Sequence, residues 1–378
     1  EADRHGPEDD QPLDPATILP DWAAPQRTTL LERSLFGFAS YGRVRFHHRS
    51  VIEYLAAQRL KYLREQGMPF KALRRMLFAD TAQGTTVVRP SMVPVAAWVA
   101  LDDPMIFAEV LKYEPSALFN HGDPESFSPS QRQQALRAYV EHYGGGGWRG
   151  MSVPRIQVTR FAGPDLGDEI LTLWNGGIEN EEVRDLLLSL IGIGQNRECS
   201  DVAYAVAFDT SLEINERLDG LNALIGLEDS RLSDVCKSLV EDPSTWPNRL
   251  SRWAVVRLFP KHLSVEQLSV VLSRISESKR AVGDISYTIP RIIDHAELSD
   301  PALEELRQRL TALLEERLAW DEKQWPHLRT ERHFVVPALA STCVRLFDRG
   351  IRTDELLRSA IIAFRRSDSL GARPVVGS

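Results

Sequence analysis

Leu190-Ile191-Gly192, then Ser200-Asp201-Val202 and Asp209, are followed by Leu224-Ile225-Gly226, then Ser233-Asp234-Val235 and Asp242. The first triplet recurs at an offset of 34 residues, the second triplet and the aspartate at 33. Each unit reads as a helix ending at glycine, a short turn, a second helix and an acidic turn. A two-helix unit of roughly 30–47 residues is the period of an α-solenoid. One such hairpin cannot bury its own apolar face and must stack on its neighbours. The expected fold is therefore all-α: an α-solenoid of HEAT-like helical hairpins over residues 69–366, with the repeat register legible only within 180–244.

Working outward, start signals carry the helical reading. Ser128-Pro129-Ser130-Gln131 and Ser264-Val265-Glu266-Gln267 are capping boxes, the first with proline at a helical first turn. Asp300-Pro301 opens a helix whose Leu303, Leu306, Leu310, Leu313 and Leu314 form one stripe, with Glu305 and Arg309 paired at i,i+4 on its polar side. Val93–Leu101 holds Pro94 and reads as a buried helix. The run Gly144–Gly147 has little conformational preference and reads as a mobile loop. It is no phosphate cradle, because Trp148-Arg149-Gly150 follows it in place of Lys-Ser/Thr.

Toward the start, residues 1–27 are an acidic, proline-rich linker. A short helix is expected over 28–36, and a small hairpin near 38–47 is the only strand pairing expected anywhere. From Ser50, read as an N-cap boxed with Glu53, the residues Ile52, Leu55, Ala56, Leu60 and Leu63 recur at helical spacing as a core stripe. Gly67 stops that helix. Residues 367–378 read as a flexible tail, and Arg365, Arg366 and Arg373 as a solvated end.

The chain has 378 residues, 43% hydrophobic and 26% charged, which excludes wholesale disorder. Its net charge of −8 argues against a dedicated nucleic-acid binder. Cys199, Cys236 and Cys343 form no CxxC, so neither a zinc ribbon nor a disulfide framework is expected, and a reducing cytoplasmic compartment fits. No apolar run reaches the ~20 residues a membrane span needs. The first residue is Glu1 and no signal peptide follows, so the chain is expected to be a piece of something longer.

The densest chemical signal is Arg45-Phe46-His47-His48-Arg49-Ser50-Val51-Ile52-Glu53-Tyr54-Leu55-Ala56-Ala57. It reads as a strand end, a basic turn and a helix N-terminus. His47, His48, Arg49 and the free amides of a first turn suit an anion. The alternative is a capping turn with solvated basic residues. Strand alternation would put His47 and His48 on opposite faces.

The string resembles the winged-helix segment of STAND signal-transduction ATPases, particularly their NACHT branch, where Phe-x-His-x-x-x-x-Glu-Tyr/Phe-x-Ala-Ala closes the ATPase module. The matching residues are Phe46, His48, Glu53, Tyr54, Ala56 and Ala57. The resemblance implies a winged-helix-like segment over 28–68. It also implies that His48 contacts the β-phosphate of ADP and holds a closed, inactive state. Glu53 and Tyr54 match positions with a structural role. No phosphate loop occurs in the sequence, so the chain alone is expected to be no enzyme and to bind no cofactor by itself. ATP or ADP with Mg is implied for a full-length protein.

The function this implies is the regulatory and sensor portion of a NACHT-like ATPase of prokaryotic antiviral defence. Its partners would be a foreign protein on the repeat face, an upstream ATPase core and further copies on activation. The alternative is a helical-repeat protein-binding scaffold without a nucleotide switch. A third reading, a helical-repeat DNA-glycosylase type of enzyme, is disfavoured by the acidic balance. His121, His142, His262, His295, His327 and His333 lack metal-ligand spacing and read as surface or satisfied histidines. Trp246, Trp253, Trp320 and Trp325 read as core, with a sensing surface as the alternative.

Overall fold

Caps and stops divide the chain into twenty α-helices and three two-stranded antiparallel hairpins among the described residues, so the protein is mostly helical. The computed structural model describes residues 14–38, 43–275, 285–316, 319–321, 327–329 and 332–364, the two shortest stretches as backbone only. The expected tail at 367–378, Arg365, Arg366, Arg373, most of the acidic part of the linker and the side chains of Trp320, Trp325 and His327 lie outside them. Two units result, Glu1–Gly146 with Met151–Ala162, and Gly147–Gly150 with Gly163–Ser378. The four-glycine run falls at their boundary.

The first unit contains α1 (Pro15–Ile18), α2 (Ala24–Leu31), β1 (Phe36–Phe38), β2 (Val44–Phe46), α3 (Arg49–Glu65), α4 (Phe70–Leu77), β3 (Phe78–Asp80) and β4 (Thr86–Val88). It continues with α5 (Val93–Ala100), α6 (Pro104–Tyr113), α7 (Ala117–Asn120), α8 (Pro129–Tyr143) and α9 (Arg155–Phe161). The helix expected over 28–36 lies earlier, and Phe36 instead pairs with Phe46 across the first hairpin. The second hairpin corrects the expectation of a single strand pair. Phe78 faces Val88 and Asp80 faces Thr86 around Gly84, whose φ of +78° suits glycine. The β-branched run Thr85-Thr86-Val87-Val88 after that glycine is its signal.

α5 is apolar all round and almost wholly buried. α3 packs on it through Tyr54, whose ring meets Trp98 edge-on at 5.0 Å. Lys61 and Arg64 extend the same face to Asp102 and Asp103, at 3.0 and 3.2 Å. The stripe expected to be core is covered only in part: Ala56, Leu60 and Leu63 are half-buried. Ile52 and Leu55 are 48% and 45% exposed, and Ala57 is the single buried residue of α3. Ile52, Leu55 and Tyr62 lie two positions from Tyr54, Ala57 and Arg64, about 200° around the helix and so on its far side.

The second unit contains α10 (Gly167–Asn175), α11 (Glu181–Gly194), α12 (Ser200–Phe208), α13 (Ile214–Leu227), α14 (Leu232–Glu241), α15 (Asn248–Leu258), α16 (Val265–Arg274) and α17 (Ile285–His295). It ends with α18 (Asp300–Glu315), the hairpin β5 (Ala319–Asp321) and β6 (His327–Arg329), α19 (Val336–Asp348) and α20 (Asp354–Phe364). This third hairpin is a further correction to the single expected strand pair. Along the chain α11, α13, α15, α17 and α19 pack each on the next, as do α14, α16, α18 and α20. The five leucines of α18 are buried, and both serine–glutamine capping boxes form.

The repeated glycines do not end their helices. They sit inside the last turns, where a Cβ on Gly226 would lie 2.8 Å from Gly192 Cα and one on Gly192 3.0 Å from Ala223 Cα. Glycine here sets how closely two backbones approach. The helices end later, at Gln195 and Glu228, both left-handed with φ of 58° and 52°. Asp209 and Asp242 are equivalent turn caps, accepting from the amides of Ser211 at 2.9 Å and Ser244 at 3.1 Å. Cys199, Cys236 and Cys343 are buried and unbridged, and burial raises the Cys236 thiol to about 11 and the other two to about 12. Among the described residues no helix is long and apolar enough to cross a membrane.

Candidate functional site

β2 ends at Phe46, and the chain turns through His47 into α3 with His48 as its N-cap, held extended at φ −118°, ψ 134°. His47 is tied to the hairpin: its amide donates to the Leu35 carbonyl at 2.8 Å. Its Nδ1 lies 3.2 Å from where a Cβ on Gly37 would sit, so the absence of a side chain at Gly37 makes room for the ring. The two imidazoles meet edge to face with centroids 4.5 Å apart. They are therefore neighbours, not residues on opposite faces, because the strand stops one residue before alternation could separate them. Both are exposed.

The expected capping box does not form. Ser50 lies inside the helix, and no side chain caps its N-terminus. Glu53 takes Arg49 at 2.9 Å instead, a one-turn pair that draws the 74% exposed guanidinium along the helix. The first amides of α3 thus stand without a side-chain acceptor, beside two imidazoles, with Arg43 and Arg45 exposed on the preceding residues. Helix dipole, amides and basic side chains together suit a phosphate-sized anion. Among the described residues no group of three or more His, Cys, Asp or Glu could hold a metal ion.

One neighbour has no signal in the local sequence. His121, the C-cap of α7, is half-buried, and burial holds its imidazole below the usual range against the pull of Glu53. It feels the charges of Glu53 and Arg49 on α3, since α5 packs against both α3 and α7. The other described histidines do not join it: His142 stacks edge-on with Tyr143 at 4.5 Å, His295 ends α17, and His262 lies just beyond α15 with burial lowering its pKa. Trp246 is core, its indole donating to Ser238 Oγ at 2.9 Å.

Comparison of the chain with protein-family models, with curated proteins and with solved structures returned no match.

Proposed function

We propose that the chain is the regulatory and sensor portion of a NACHT-like STAND ATPase, of the type used in prokaryotic antiviral defence. In this reading residues 28–68 are the winged-helix-like end of the switch module. The alternating helices behind them are a HEAT-like α-solenoid that takes a foreign protein. The observation that carries the reading is His48, exposed at the uncapped N-terminus of α3 directly after a hairpin. There it donates to the β-phosphate of ADP held by an upstream ATPase core, with Mg supplied at that core. The bare stripe Ile52, Leu55 and Tyr62 is the face offered to that core. Ligand binding on the repeats then opens the closed state and permits assembly of further copies in the cytoplasm.

The test is size-exclusion chromatography of the full-length protein without its trigger. His48→Ala oligomerises where wild type stays closed; a quiet His48→Ala removes the assigned role. The chain alone turns over no ATP, and turnover above a denatured control refutes that part. The second reading, a repeat scaffold without a switch, draws on the packing from α11 to α20, which makes no use of the α3 N-terminus. A scaffold gives His48→Ala no reason to oligomerise.

A further inference from the structure

The net charge of −8 is not spread evenly along the chain. Residues 27–89 hold twelve Arg and Lys against four Asp and Glu, a local excess of eight positive charges. The fold divides these cations into two sets. Lys61, Arg64 and Arg74 each meet an acid on or just before α6: Asp102 at 3.0 Å, Asp103 at 3.2 Å and Glu109 at 2.6 Å. Arg43, Arg45, Arg59, Lys71, Arg75 and Arg89 are all exposed and meet no acid among the described residues. Glu32, Glu65 and Asp80 are the acids of the same span outside ion pairs, too few to balance them.

Three of the six cations are gathered at one place. Lys71 and Arg75 stand one turn apart on α4 and so share a face. Arg75 Nε donates to the Lys71 carbonyl at 3.4 Å. Arg89 follows β4, and its amide donates to the Leu77 carbonyl at 2.8 Å, which fixes it beside the end of α4. From there Arg89 Nε donates to the Arg75 carbonyl at 3.3 Å. Both guanidiniums are thus anchored through Nε, and their forked Nη ends have no acceptor among the described residues.

We propose that this surface of the first unit holds the phosphate backbone of a nucleic acid, gripped by Lys71, Arg75 and Arg89. Like charges held together without counter-charges repel one another, and a polyanion relieves that repulsion. Five of the six cations are arginines, whose planar fork matches two oxygens of one phosphate. An anionic membrane is met by one amphipathic helix lying in its plane, whereas these cations come from a strand, two helices and the exit of a second hairpin. Phe38, on the hairpin that carries Arg45, is 88% exposed and offers a ring for a base to stack on. Contacts of this kind read phosphate and not sequence, so binding is sequence-independent. The inference goes beyond the sensor reading and uses neither His48 nor a bound nucleotide.

The experiment is fluorescence anisotropy of the full chain with a labelled duplex and a labelled single strand of arbitrary sequence, from about 50 to about 200 mM salt. Affinity for the duplex should fall linearly on a log–log plot. The double variant Arg75→Ala, Arg89→Ala should flatten that slope by about 2, because each lost phosphate contact removes about 0.9 from it. Across the salt range wild type should therefore lose about tenfold more affinity than the variant. Arg358→Ala, which removes an exposed cation from α20, should leave the slope unchanged. Should the double variant fail to fold, Lys71→Gln on the same face should flatten the slope by about 1. No binding of either oligonucleotide at the lowest salt, or a slope that these variants leave unchanged, would overturn the proposal. So would equal or tighter binding, through the same residues, of phosphatidylserine vesicles or of polyglutamate, which would assign the surface to a membrane or to an acidic protein.

Discussion

Residues 14–56 and residues 181–241 are both folded, and they differ in what holds them. The described residues from 14 to 56 make three helices and a hairpin without one buried side chain. Over them stand exposed Ile18, Trp22, Leu35, Phe38, Ile52, Tyr54 and Leu55, Phe38 at 88%. In the repeat, Leu186, Leu187, Leu188, Leu190 and Ile191 are buried within six positions of α11. The contrast lies in packing: residues 181–241 carry buried side chains of their own, and the first region carries an apolar surface of the kind that marks an interface.

That contrast can be broken most sharply by truncation. Leu187→Ala removes a fully buried side chain and should cost about 2–5 kcal/mol. Leu55→Ala should stay within about 0.5 kcal/mol. Urea unfolding of both variants decides, and equal losses would mean that the α3 stripe has a hidden core role. Next in size is His48→Ala in the full-length protein, where loss of a charged hydrogen bond removes about 1.5–3 kcal/mol from the closed state. His47→Ala should have a smaller effect of the same sign, since its ring braces His48. Chromatography that orders wild type, His47→Ala and His48→Ala in any other way contradicts this. The smallest effect compares two serines. Ser264→Ala should lose about 1 kcal/mol of thermal stability, because its hydroxyl accepts the Gln267 amide at 3.1 Å. Ser50→Ala should lose almost nothing, because that serine caps no helix.

The same serines show how far sequence carries the fold. At Ser264 and Ser128 the capping box is a local pattern with no competitor, and it forms. At Ser50 chain continuity overrides it: β2 ends so close that the helix must start at Arg49, and Glu53 finds Arg49 first. The stripe of α3 is legible as apolar, but periodicity does not say which apolar face a neighbour covers. Ala57 is the covered one, on the side where the Tyr54 ring meets Trp98. At the candidate site His48 is readable from its motif, whereas its contact with His47 depends on where a strand stops. His121 depends on three helices meeting far apart in sequence.

Gln195 and Glu228 carry a different lesson. Both occupy a backbone conformation that glycine adopts freely and that other residues adopt at a cost of roughly 1–2 kcal/mol. Each uses its side chain to reach the following pair, Gln195 to the Gly226 carbonyl and Glu228 to Lys261 at 2.5 Å. Glycine at either position would ease its own turn and cut the link to its neighbour. In the proposed linear array each pair is stabilised by itself and by the next, so local relief would come as lost cooperativity. A Gln195→Gly, Glu228→Gly chain should therefore melt over a broader range, its pairs opening one by one.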